Sequence, residues 1–268
     1  MNLSIVDWFG YNLSSQERIR LIKEAGFDGI LLLWADYFDK DYKQFPEYAR
    51  SAGLFVENAH APYMNANALW EDTLDGQDAC QEIIVCVEDC SVYNIPALIM
   101  HPENKKGTEM VELPSDFTIG IDRMKRIIDA AERFNINIAV ENMSRPEYLE
   151  CIFKNIQSEK LGFCFDSGHW NVFTPETELL KLYGDKLLAL HLHDNNSTDD
   201  WHSLPFSGVM DWNTVASKLK SISYNGSIAL EIGNTRFEHI KEPQAFLRMA
   251  VESATRIADM CQNTEGSK

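Results

Sequence analysis

Apolar residues along this chain follow two alternating rhythms. Short, nearly continuous runs of Ile, Leu and Val recur as LSIVDWF (3–9), GILLLW (29–34), LFVENAH (54–60), ALIMH (97–101), INIAVEN (136–142), LGFCFD (161–166), LLALHLH (187–193) and SIALEI (227–232). Runs so short and so uniformly apolar are expected of strands covered on both faces. Between them the period lengthens to that of an amphipathic helix. In 15–26, Ile19, Ile22 and Ala25 share a face and Gly26 stands where a C-cap belongs. Segments 78–94, 115–135, 211–222 and 242–261 repeat the helical period, while 37–52, interrupted by Pro46, and 145–158 carry it weakly.

Eight strands alternating with helices predict an α/β fold, a single (β/α)8 TIM barrel over residues 1–262 followed by a flexible polar tail, 263–268. The 268-residue length suits one such barrel, which needs roughly 250 residues. An open doubly wound sheet is the runner-up, but that fold places a Gly-rich GxGxxG turn after its first strand and 7–15 contains none.

Composition narrows the partners. A net charge of −17 argues against nucleic acid, whose backbone is gripped by concentrated Lys and Arg. The chain opens directly on a strand, without a basic leader, and no apolar stretch is long enough to span a membrane. Six scattered cysteines without a CxxC pair fit free thiols in a reducing compartment. The expectation is a cytoplasmic protein with no membrane partner. The long last helix leaves room for a homo-oligomer.

Chemistry gathers at the strand ends, where barrels of this kind carry their catalytic groups. Those ends read Trp8, Trp34, His60, His101, Glu141, Asp166, His191 and Glu231. Side chains alternate along a strand, and a small residue precedes four of these groups by two positions: Ala139, Cys164, Ala189 and Ala229. Val140, Phe165, Leu190 and Leu230 then face the helices, and Glu141, Asp166, His191 and Glu231 form one inward layer. Three carboxylates in one layer need a counter-charge. One divalent metal (Mn²⁺, Mg²⁺, Co²⁺ or Zn²⁺) supplies it, and the donor set suits any of these; a hydrogen-bonded polar plug is the alternative. His193 points the same way as His191 and either meets substrate or caps a loop. Asp194 faces outward and orients a loop or a histidine.

The motifs VEN (140–142), FDSGH (165–169), LHLHDN (190–195), DDWHSLPFSGVMDW (199–212) and LEI (230–232) together resemble the xylose isomerase-like barrel superfamily, which includes sugar (phosphate) isomerases and epimerases, inositol-catabolism enzymes and metal-dependent AP endonucleases. The resemblance implies a metal on Glu141, Asp166, His191 and Glu231, with Glu141 and Glu231 also the catalytic acid–base pair. It implies substrate contact for His169 and His202, or in the endonuclease branch further metal ligation. Two departures stand out. Ketose 3-epimerases carry an arginine at the place of Ser197. Endonucleases carry Asp-Arg-His-His in the loop, and in the corresponding run 199–202 Trp201 replaces the ligand, so a three-metal cluster is expected to be incomplete.

The expected activity is isomerisation or epimerisation of a small-molecule sugar through a metal-stabilised cis-enediolate. His60, His101, His169, His193 and His202 are candidates for substrate binding, and Trp8, Trp34 and Phe9 for apolar walls against sugar C–H faces. Arg145, Lys105, Lys106 and Arg236 are candidates for a substrate phosphate. Alternatives are an AP endonuclease, in which His60, His101, His169 and His202 assemble more metals, a dehydratase of an inositol-type keto substrate, and a non-catalytic sugar-binding module.

Overall fold

The computed structural model describes residues 1–104 and 110–262. Lys105, Lys106 and the expected tail 263–268 lie outside the described residues. Strands form at every predicted run, and six of the eight stop earlier than predicted. They are β1 (Leu3–Val6), β2 (Gly29–Leu33), β3 (Phe55–His60), β4 (Ala97–Met100), β5 (Asn137–Glu141), β6 (Leu161–Asp166), β7 (Leu187–His191) and β8 (Ile228–Leu230). Every hydrogen-bonded pair is parallel, in the order β7-β6-β5-β4-β3-β2-β1-β8. The circle closes just beyond β7. There Leu192 bridges Leu230; its N–H donates to the Ala229 carbonyl at 2.9 Å, and the Glu231 N–H donates to the Leu192 carbonyl at 3.2 Å. The architecture is a (β/α)8 barrel.

Nine helices are seen among the described residues: α1 (Ser15–Ala25), α2 (Phe45–Ser51), α3 (Leu74–Val92), α4 (Thr118–Phe134), α5 (Pro146–Asn155), α6 (Ser167–Phe173), α7 (Leu179–Tyr183), α8 (Trp212–Ser221) and α9 (Pro243–Gln262). Gly26 does end α1, at a left-handed φ of 109°. Pro46 opens α2 rather than interrupting it, because a first-turn residue has no helical N–H bond to lose. The short α6 and α7 carry too few turns to show a period in sequence; Asp166 starts α6 by accepting the His169 N–H. The apolar face of α9 (Phe246, Leu247, Ala250, Ala254, Ile257) is buried within this chain, against α1, α8 and β8. No helix among the described residues is long and apolar enough to cross a membrane. All six cysteines are free thiols.

The inward–outward alternation holds. Val140, Phe165, Leu190 and Leu230 belong to the main core between strands and helices. Ile99, Ala139, Cys164 and Ala189 form a separate small cluster beneath the strand ends, whereas Ala229 joins the main core. Small side chains there leave room for the polar groups two residues later.

The first two βα turns are tied by buried charge. Arg18 is held by Asp39 at 2.6 Å and lies 3.9 Å from Asp7. Asp7 follows β1 and accepts the Leu33 N–H at 2.9 Å. Burial raises the Asp7 carboxyl from 3.8 to about 7, against the lowering effect of that N–H and of Arg18. The folded chain therefore holds this proton more tightly than the unfolded chain. The stabilisation is complete below the unfolded value and is lost as pH rises through the folded one, at up to about 1.4 kcal/mol per pH unit. Asp7→Asn keeps an acceptor for Leu33 and cannot ionise. Urea denaturation at pH 5 and pH 8 is expected to show a smaller stability loss on going alkaline in this variant than in the wild type.

Candidate active site and metal centre

The four strand-end groups converge. Glu141 closes β5, Asp166 closes β6, His191 closes β7 and Glu231 follows β8, and Asp166 and His191 are direct partners across β6 and β7. One donor atom from each lies within 4.8 Å of the others. His191 Nδ1 is 2.9 Å from Glu141 Oε2 and 3.3 Å from Glu231 Oε2. Yet neither Glu141 oxygen, nor His191 Nδ1, has a well-formed hydrogen bond among the described residues, and all three atoms are buried. Buried polar atoms aimed at a common point without satisfying one another fit a cation between them. Three carboxylates and one imidazole make a suitable donor set for a divalent ion.

Three further groups of donors adjoin this one, two of them flanking it and the third made of His193, His202 and Glu231. His60 Nε2 and His101 Nε2 lie 3.1 Å apart, each 3.4 Å from Glu141 Oε2. His60 Nδ1 faces the Ala61 carbonyl at 2.8 Å, which fixes the proton on Nδ1 and leaves Nε2 as a donor of electrons in the neutral ring. His60, Glu141 and His191 bring donor atoms together on that side. On the other side stand His169, Asp200 and His202, with His169 Nε2 3.1 Å and His202 Nε2 3.4 Å from Asp200. Trp201 itself contributes no donor to this group. The loop presents its donors from Asp200 and His202, on either side of Trp201, and Trp201 stacks on the Arg236 guanidinium at 3.6 Å. His202 pays for its position with a left-handed backbone (φ 46°), a conformation that costs a non-glycine residue on the order of 1 kcal/mol or more.

Electrostatics follow from this crowding. Burial would raise the Glu141 carboxyl, but His191 and His101 hold it well below the usual carboxylate range. Burial opposes charge on His169 too, and Asp166 and Asp200 outweigh it, keeping that imidazole protonated far above its ordinary range. His202 is pushed up to about 10, against burial, chiefly by Asp200. His101 goes the other way because burial dominates.

Above the centre opens a cavity of about 350 Å³, lined by His60, Tyr63, His101, Asn104, Met143, His169, Asp199, Asp200, His202 and Glu231. Four of the expected substrate residues, His60, His101, His169 and His202, are therefore brought together. Three are not. Trp34 is buried beside Tyr42 and Tyr93, its Nε1–H donating to Asp89, and lines a different hollow. Trp8 is exposed next to Arg18 and is absent from the cavity wall, and Phe9 packs on Tyr11 and Phe246. His193 lies behind the wall, wholly buried. Tyr63, Asn104, Met143, Asp199 and Asp200 sit in loops, where no period marks them in sequence. Asp194 does orient a loop, accepting Trp212 Nε1–H at 2.9 Å and the Met210 N–H at 3.1 Å. Of the basic candidates, Arg145 is engaged with the Val111 carbonyl at 2.7 Å.

The family of xylose isomerase-like TIM barrels matches residues 19–250. The chain belongs to that family. Among relatives of this xylose isomerase-like barrel are an uncharacterised Methanocaldococcus jannaschii protein, MJ1311, 36% identical over 66% of this chain and 64% of that one, and the Sinorhizobium fredii protein y4fM, 31% identical over 47% and 42%. The matches thus span about half to two thirds of the length of these relatives. The Bacillus velezensis inosose isomerase is 22% identical over 82% of this chain and 84% of its own. Two solved structures share the fold: the IOLI protein with a bound zinc atom (TM-score 0.80, 18% identity, 98% and 100% of the chains) and the Clostridium cellulolyticum D-psicose 3-epimerase with D-tagatose (TM-score 0.77, 13% identity, 98% and 100%).

A test of the centre needs no substrate. Elemental analysis of the purified protein is expected to find a divalent transition metal or Mg²⁺, and His191→Ala or Asp166→Ala to lower its content well below that of the wild type with circular dichroism unchanged.

Proposed function

We propose that this protein is a metal-dependent isomerase or epimerase of a small sugar. The observation that supports it most is the convergence of Glu141, Asp166, His191 and Glu231 beside a cavity of about 350 Å³ whose wall Glu231 joins. That volume lies in the range of small-molecule sites and suits a monosaccharide. The inosose isomerase relative adds weight, as does the fold shared with the D-psicose 3-epimerase. Glu141, Asp166, His191 and Glu231 would hold the cation, which when bound supplies Lewis-acid polarisation of a carbonyl and neutralises developing charge.

The chain's own residues divide the remaining work. Glu231 lines the cavity and is its proton-transfer group; Glu141, fully buried, lies behind the wall against His60, His101 and His169 and is the second carboxylate. One takes a proton from the carbon beside the carbonyl, leaving a cis-enediolate. Return of a proton to the neighbouring carbon, with a proton passing between the two oxygens, gives the isomer. Return to the opposite face of the same carbon gives the epimer. His60, His101, His169 and His202 offer hydrogen bonds to the hydroxyls, and Tyr63 and Met143 the apolar wall.

A second reading, phosphodiester hydrolysis of an AP-endonuclease kind, is favoured by the two flanking donor groups, His60–Glu141–His191 and His169–Asp200–His202. The net charge of −17 opposes it.

Incubation with a panel of sugars in D₂O is expected to place solvent deuterium on the carbon next to the carbonyl, without the mass loss of a dehydration. Glu141→Gln and Glu231→Gln are each expected to lower turnover by ~10²-fold or more in folded protein. Fully active glutamine variants, or nicking of abasic duplex DNA with no sugar turnover, would overturn the proposal.

A further inference from the structure

The second histidine of the LHLHDN motif is left without a task by the reading above. His193 does not reach the cavity; its side chain is wholly buried. We propose that His193 is a positioning residue that orients the Asp166 carboxylate and docks the loop carrying Asp200 and His202 onto it. The proposal rests on the assignment of Asp166 and His202 to the site.

Three contacts carry it. His193 Nε2 is 3.1 Å from Asp166 Oδ2 and 3.7 Å from Asp200 Oδ1. The imidazole lies flat against that of His202, with ring centroids 4.0 Å apart and planes 14° from parallel. Its backbone is clamped, the N–H donating to Ser167 Oγ at 3.1 Å and the carbonyl accepting the Ser167 hydroxyl at 3.0 Å. His193 Nδ1 is buried and has no hydrogen-bond partner among the described residues. A proton on Nδ1 would have no acceptor, so in the neutral ring it resides on Nε2 and is donated to Asp166. Asp166 is then fixed through both oxygens, since Oδ1 accepts the His169 N–H at 2.6 Å. The same ring, through its face, supports a histidine whose backbone is left-handed. Asparagine at this place would lack the aromatic face, and its amide, which overlies Nδ1 rather than Nε2, would not reach Asp166; phenylalanine would lack the donor altogether.

The space for the ring is made by Gly168. A Cβ there would lie 1.8 Å from His193 Cε1 and 2.4 Å from Nδ1. The glycine of the FDSGH motif is thus required by the second histidine of LHLHDN, two elements away in sequence and in contact in space.

The test uses the full chain loaded with Zn²⁺ and three variants, His193→Asn, His193→Gln and Gly168→Ala. Zinc affinity is read by competition with a chromophoric chelator, and the His202 ring signal by NMR, assigned with His202→Ala. His193→Asn is expected to weaken zinc binding ~10–100-fold, the range found when a group that orients a metal ligand is removed, and to shift the His202 signal by removing the ring stacked on it. Gly168→Ala is expected to reproduce both effects with the imidazole still present. His193→Gln, whose amide keeps a donor for Asp166, is expected to recover part of the zinc affinity without restoring the His202 signal. Wild-type zinc affinity in His193→Asn together with an unmoved His202 signal overturns the proposal. Should the wild type itself bind no divalent cation, the metal-centre reading fails on its own, and an unmoved His202 signal in His193→Asn still overturns the positioning role.

Discussion

A carboxylate shut away from water must be met by positive charge within a few ångströms or give up its ionisation. Glu141 has no exposed surface, and its neighbours are imidazoles: His191 at 2.9 Å, His169 at 3.1 Å, and His60 and His101 at 3.4 Å. Every donor group at the mouth of the barrel touches this carboxylate or touches something that does. Two of these histidines are drawn into further pairs, His169 with Asp166 and Asp200 and His191 with Glu231, so the charge balance of one residue spreads across four strand ends and a loop. A buried pair of this kind adds little to stability in itself. Its effect is to fix geometry, because each partner is held only while the others stay in place.

Such a centre was readable in the sequence to the extent that strands carried it. A two-residue period forces Ala139, Cys164 and Ala189 to the same side as Glu141, Asp166 and His191, and the three small residues do cluster with Ile99 inside the barrel. Extrapolation of the same period past the strand end misled. His193 keeps the direction of His191 but lies beyond β7, where α6 and the 199–209 loop cover it. Trp34 follows β2 and turns under Tyr42 and Tyr93. Loops supply Tyr63, Asn104, Met143 and Asp200, whose positions depend on contacts distant in sequence; the Asn104 backbone, for one, is clamped by Asn67 at 2.8 Å in both directions. In the loop around Trp201 the sequence marked His202 and left Asp200 unassigned.

The division of labour between strands and loops also explains how the family likeness is distributed. Residues that could hold a cation come chiefly from strand ends, whose spacing is set by backbone hydrogen bonds common to the fold. Residues that would meet a substrate come from loops free to vary. Relatives at 22% identity and structures at 13–18% can therefore share the barrel while the cavity wall differs. For this chain the wall is rich in imidazole and carboxylate, with one phenol and one thioether.

The closure between β7 and β8 has a mechanical side. Neighbouring strands elsewhere are laced along two to five residues, whereas among the described residues this junction is bridged only through Leu192, just past the end of β7. His191 and Glu231 flank that stitch, one on each lip of the seam. A cation shared by the two would act as a rivet at the least-laced seam of the cylinder, so that occupancy and hoop integrity would rise together, and the staves would loosen first beside the candidate site.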